Sequence, residues 1–177
     1  MSRTVFLAHS ISSASPESAV EDIARIAREE LVKAGWRVLP REREPLAGIL
    51  ARAMHGDGRA MVASNVASIV NSDLILIVAE DYRSPSSVWV EAGIALAARV
   101  CGVVIAGPNV ALPLLVTSSL GSTSEELPPW HRIPLDLFGI SAELRLKFTR
   151  QAVHDAIAWA DAIVPSPSAV GNLPRDG

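Results

Sequence analysis

The stretch from Ser84 to Val100, SPSSVWVEAGIALAARV, places one carboxylate, Glu91, behind a serine-rich bend and at the head of an apolar run. Its neighbours Val88, Val90, Ala92, Ile94 and Ala95 are apolar, so the charge is expected to border a crevice. A carboxylate there costs free energy unless it has a partner or a task. Two readings stand side by side: an ordinary acidic residue in the first turn of a helix, stabilised by the helix dipole, or a working carboxylate.

Other residues with usable chemistry close two apolar runs. His9 and Ser10 follow TVFLA, and Glu80, Asp81, Tyr82 and Arg83 follow DLILIVA. His9 either touches a ligand or caps its own loop. Tyr82 and Trp89 have rings that can stack on a planar ligand, although the apolar neighbours of Trp89 suit core packing equally well. Arg41, Arg43 and Arg83 can hold phosphate through bidentate contacts, while REREP also reads as a solvated loop. Ser86 and Ser87 are placed to cap a helix and to offer its first amides to an anion.

Several other chemistries lack their residues. His55, His131 and His154 have no metal-ligand spacing, so no metal is expected. HGDGR lacks the Lys-Ser/Thr ending of a nucleoside-triphosphate loop. Ser10 beside His9 has no Gly-x-Ser-x-Gly elbow around it.

The elements that must position these groups alternate. TVFLA, WRVLP, DLILIVAE and GVVIAGP read as strands, and LPLLV, Leu112 to Val116, as a short fifth. Ser15 followed by Pro16 starts a helix in which Val20, Ile23, Ala27 and Leu31 recur until Gly35. A short helix is expected from Pro45, and another from Met61 to Asn71. A last helix spans about Ser141 to Val164, with Leu144, Phe148, Ala152, Ala156, Trp159 and Ile163 near one face. Residues 117–141 read as a long irregular surface segment, and Leu112 to Ile140 could supply a lid, a dimer contact, or specificity residues such as Trp130 and His131. Continuous apolar strands alternating with helices argue a parallel sheet covered on both faces. In such a sheet ligands bind at the carboxyl ends of the strands, the ends that carry the residues named above.

Bulk properties agree with one domain over residues 1–164 followed by a tail of residues 165–177. The 177 residues are 49% hydrophobic, enough for a core, and the net charge of −3 gives no basic footprint for nucleic acid. No apolar run is long enough to cross a bilayer. The single cysteine, Cys101, cannot form an internal disulfide, and no leader is evident, so a cytoplasmic location is expected.

Over residues 3–107 the sequence resembles two known families. TVFLAHS, and SDLILIVAEDYRSPSSVWVEAGIALA with its Tyr-x-x-Ser bend, Trp and following Glu, resemble Toll/interleukin receptor (TIR) domains. EAGIALA is similar to the Glu-x-Gly-x-Ala signature of nucleoside 2-deoxyribosyltransferases and related nucleotide N-hydrolases. Trp89 and Glu91 are only two residues apart, closer than in the TIR enzymes, while SPSS replaces the Asp-Gly-Thr-like approach of the transferases. Both resemblances imply a flavodoxin-like, doubly wound parallel sheet of four to five strands with helices on both faces. Both also imply a glutamate acting at the anomeric carbon of a ribose, and they converge on Glu91.

The implied activity is cleavage of a ribosyl N-glycosidic bond. TIR-like hydrolysis of NAD comes first, with NAD as substrate and no cofactor. A nucleoside or nucleotide N-hydrolase or transferase comes second, and a non-catalytic TIR-like interaction module third. A neutral leaving base calls for a second acid, with Asp73, Glu80 and Asp81 as candidates. Glu91→Gln is expected to abolish turnover with the melting temperature nearly unchanged, and the resemblances imply a homo-oligomer.

Overall fold

A computed structural model describes residues 2–9, 19–40, 58–79, 86–122, 126–137 and 139–164. The expected helix start at Ser15, the helix from Pro45 and the tail lie outside these residues.

Five strands, β1 (Thr4–His9), β2 (Arg37–Leu39), β3 (Leu74–Ala79), β4 (Cys101–Ala106) and β5 (Trp130–Pro134), form one parallel sheet in the order β2-β1-β3-β4-β5. That is the flavodoxin-like order, with its reversal at β1 and β3. Register is continuous across the centre: Ala8 pairs with Ile77, and Ile77 with Val104. All six residues of β3 are buried because helices cover both faces of the sheet, which is why the strand reads as an unbroken apolar run.

The period of two along each strand divides the core. Val5, Leu7, Leu74, Leu76, Val78, Val103 and Ile105 face α1 (Ala19–Lys33) and the long C-terminal helix. Phe6, Ala8, Ile75, Ile77, Ala79, Val104 and Ala106 face the other layer. That layer holds α2 (Gly58–Val70), α3 (Ser86–Ala97) and α4 (Leu114–Ser119), while α5 (Ala142–Ile163) completes the first.

Three expectations need correction. Leu112 to Val116 is not a strand: it runs into α4, whose Val116 and Ser119 turn inward three residues apart at helical spacing. The fifth strand lies instead in the segment read as irregular. WHRIP pairs along its length with β4, while among the described residues its other side carries one bridge, Leu120 to Trp130, and at such an edge the missing N–H of Pro134 costs no ladder bond. The third correction concerns α5. Its buried stripe is Thr149, Ala152, Val153, Ala156 and Ala160, whereas Leu144, Phe148 and Ile163 are exposed. Small side chains line the contact, which lets the helix approach the sheet closely.

Candidate functional site

The carboxyl edge of the sheet is where β1 ends at His9, β3 at Ala79 and β4 at Ala106, and where α3 begins. Helix α3 is anchored by Val88, Ala92 and Ala95, each fully buried at i, i+4 and i+7. Glu91 lies three residues after Val88 and so sits at the margin of that buried stripe. It is the sixth residue of α3, not a first-turn residue, so the helix-end explanation of its charge does not hold.

Glu91 is half-buried, and among the described residues no hydrogen bond or ion pair reaches it. Burial pushes its carboxyl up from the usual 4.5 to about 7. Both protonation states are therefore present near neutral pH, which suits a group that must hold charge or exchange a proton.

The other expected residues divide. Two residues along a helix is about 200° of rotation, so Trp89 leaves α3 on the flank away from Glu91, where it packs on the apolar cluster with Val88 and Ala92. His9 ends β1 at the correct edge, level with Val78. Strand alternation nevertheless turns its side chain toward the α1 and α5 layer, opposite α3. Ser87 is exposed in the first turn of α3, and Ser86 is its first residue. Ser10, Glu80, Asp81, Tyr82, Arg83, Arg41 and Arg43 lie outside the described residues.

Asp73 is overturned as an acid for this edge. It precedes β3 at the amino edge, where its Oδ2 accepts from Thr4 N at 2.7 Å. Six strand residues, roughly 20 Å, separate it from the carboxyl ends. Trp130 and His131 also sit toward the amino edge, opposite Gly102 and Val103. Trp130 is buried, and the His131 ring stacks on Trp159 of α5 with centroids 5.5 Å apart.

One carboxyl-edge residue was missed from sequence. Half-buried Arg132 of β5 donates from Nη2 to Gly107 O at 2.8 Å, with longer contacts to Pro108 O and Val110 O at 3.4 Å. It fixes the loop that leaves β4 at the carboxyl edge of the sheet. The signal was the alternation of WHRIP, hidden by prolines on both sides. Among the described residues, no three His, Cys, Asp or Glu side chains gather as metal ligands, and no helix is long and apolar enough to cross a membrane.

This strand order, which reverses at β1 and β3, defines a flavodoxin-like α/β fold. No protein-family model and no curated protein matches the sequence. Among solved structures the chain is similar to the Clostridium botulinum CMP N-glycosidase BcmB, with a TM-score of 0.53 and 12% identity over 89% of this chain and 99% of that one. It is also similar to an azoreductase from Bacillus anthracis str. Sterne, with a TM-score of 0.52 and 9% identity over 92% and 100% of the two chains. A putative quinone reductase from Klebsiella pneumoniae gives 0.54 and 11% over 94% and 88%. At these identities the likeness is one of fold.

Proposed function

We propose that the chain is a nucleotide N-glycosidase in which Glu91 acts at the anomeric carbon of the ribose. The observation that carries this reading is Glu91 itself: a half-buried carboxylate near the carboxyl edge with no partner among the described residues. The fold shared with a CMP N-glycosidase supports it. The azoreductase and quinone reductase share the fold to the same extent, but hydride chemistry belongs to a cofactor and gives a lone buried carboxylate no task.

Breaking the bond from C1′ to the base nitrogen sends the bonding electrons to the base and leaves oxocarbenium-like charge on the ribose. A close carboxylate stabilises that charge or traps it covalently. Water then supplies hydroxyl to C1′, and its proton balances the departing base. The reaction needs no redox cofactor. With Glu91 acting as the anion, kcat/KM rises with pH through about 7, because the protonated form below that value cannot hold the cation.

A nucleoside monophosphate is the favoured substrate class, on the BcmB likeness. The NAD reading retains one supporting observation: Asp73, one of three candidate acids, is held at the opposite edge. A cationic nicotinamide leaves without protonation and needs only the one carboxylate.

The test is incubation of wild type and Glu91→Gln with nucleoside monophosphates, deoxynucleosides and NAD, with released bases separated by chromatography. Base release from a monophosphate by wild type, falling at least about 10³-fold in Glu91→Gln, is the expected result. Nicotinamide release alone would move the assignment to NAD. Equal rates in the two proteins would remove Glu91, and no release from any substrate would favour the interaction-module reading.

A further inference from the structure

The two helical layers differ in what they show to solvent. Charged residues make up seven of 15 in α1 and six of 22 in α5. In α2, α3 and α4 together there are two, Arg59 and Glu91. Large apolar side chains stand outward on this second layer, beside exposed Arg59, Ser64, Ser87, Thr117 and Ser118: Val90 is 61% exposed, Leu114 80% and Leu115 68%, with Val62 and Val70 also exposed.

These residues belong to neighbouring elements, because α3 packs against α2 on one side and α4 on the other. Helix α2 rests chiefly on α3, and among its described side chains Ile69 is the one buried apolar residue. A contiguous exposed apolar patch across neighbouring helices is normally covered. On the α5 surface, by contrast, exposed Leu144, Leu146 and Phe148 alternate with Glu143, Arg145 and Lys147.

We propose that the α2, α3 and α4 layer is the surface through which two copies of this chain pair. A two-fold contact sets a patch against itself, so a patch rich in one sign of charge repels its own copy. The three helices bring no such repulsion: their two charges, Arg59 and Glu91, are of opposite sign, and Glu91 is half-buried. Its extent also fits. At 1.5 Å per residue and about 10 Å between axes, the three helices cover about 500 Å² in plan. With side-chain relief that approaches the ~800 Å² each partner contributes to a standard interface. Val90, adjacent to Glu91, would be covered, so pairing would seal the outer side of the turn that carries the carboxylate. The pairing does not depend on the proposed reaction.

Light scattering on the full chain after size exclusion, from about 5 to 100 µM, tests this. The expected mass is twice the chain's 18.8 kDa. Val62→Glu and Val90→Glu, at exposed positions that leave the core intact, are each expected to weaken pairing at least about 100-fold and yield monomer with an unchanged circular dichroism spectrum. Should either Glu variant fail to fold, Val90→Ser and Leu115→Ser are the milder substitutions, expected to weaken pairing about 10-fold each. Phe148→Glu on the charged layer is expected to remain dimeric. A wild type that is monomeric at 100 µM would overturn the proposal. So would a dimer that survives the folded layer variants, or one that Phe148→Glu dissociates.

Discussion

The two edges of the sheet use charge in opposite ways. At the amino edge ionic contacts tie elements of the fold together. Arg3 reaches Asp161 at 2.7 Å and lies 4.4 Å over the Trp36 ring, whose Nε1 donates to the same carboxylate at 3.3 Å. Asp73 takes the first amide of β1, and Glu30, in the last turn of α1, accepts from Lys33 and contacts His154. At the carboxyl edge, Glu91 has no partner among the described residues. The directions of titration differ accordingly: Lys33 and His154 lower the Glu30 carboxyl, whereas burial raises that of Glu91. Charges that hold the fold are paired, and the charge that the fold itself holds is left free to act.

The largest stability effect that would sharpen this contrast belongs to Glu91→Gln. The native carboxyl binds its proton up to about pH 7, while the unfolded chain releases it near 4.5. Stability from this group is therefore complete below 4.5 and is lost as pH rises to about 7. The difference corresponds to about 3 kcal/mol. Glutamine cannot ionise, so above pH 7 the variant is expected to be the more stable protein, by on the order of 6–12 °C in melting temperature, with the two converging near pH 5. This replaces the nearly constant melting temperature expected from sequence. Equal melting temperatures at pH 8 would mean that Glu91 has found a partner and belongs with the amino-edge carboxylates.

A smaller effect, confined to the other end, is expected from Gly102→Ala. A Cβ at Gly102 would run into the Trp130 ring, which is 1% exposed and whose Nε1 has no hydrogen-bond partner among the described residues. The ring is seated by packing. Overfilling that contact is expected to cost about 2 kcal/mol in denaturant unfolding and to leave turnover per folded molecule unchanged. A fall in kcat without loss of stability would break the separation between the edges.

What sequence revealed and what it hid follow from the same physics. Strands β1, β3 and β4 were legible because burial on both faces makes them continuous apolar runs. Strand β5 was not: at the sheet edge it includes exposed His131 and Pro134, and the more apolar Leu112–Val116 took its place. In helix α5 the expected Ala152 and Ala156 do face inward, but Leu144, Phe148 and Ile163 do not, since periodicity favours the largest apolar residues and the sheet contact uses alanines. Glu91 stood out as the one charge in an apolar helix. Asp73 shared its residue type with the site but not its edge, and no short-range pattern carries that information.

The smallest effect tests that distinction directly. Asp73 is exposed, and its carboxylate accepts the Thr4 amide at 2.7 Å while its own amide donates to Thr4 O at 2.9 Å. Asp73→Asn keeps the shape and an acceptor oxygen but removes the charge from one hydrogen bond, which is expected to cost about 1 kcal/mol or less. Turnover and its pH profile should not change, because the acid that protonates a leaving base has to stand at the other end of β3. If Asp73→Asn instead lost turnover while unfolding normally, the amino edge would contain a catalytic group. The division between charges that hold the fold and the charge that acts would then fail at its weakest point.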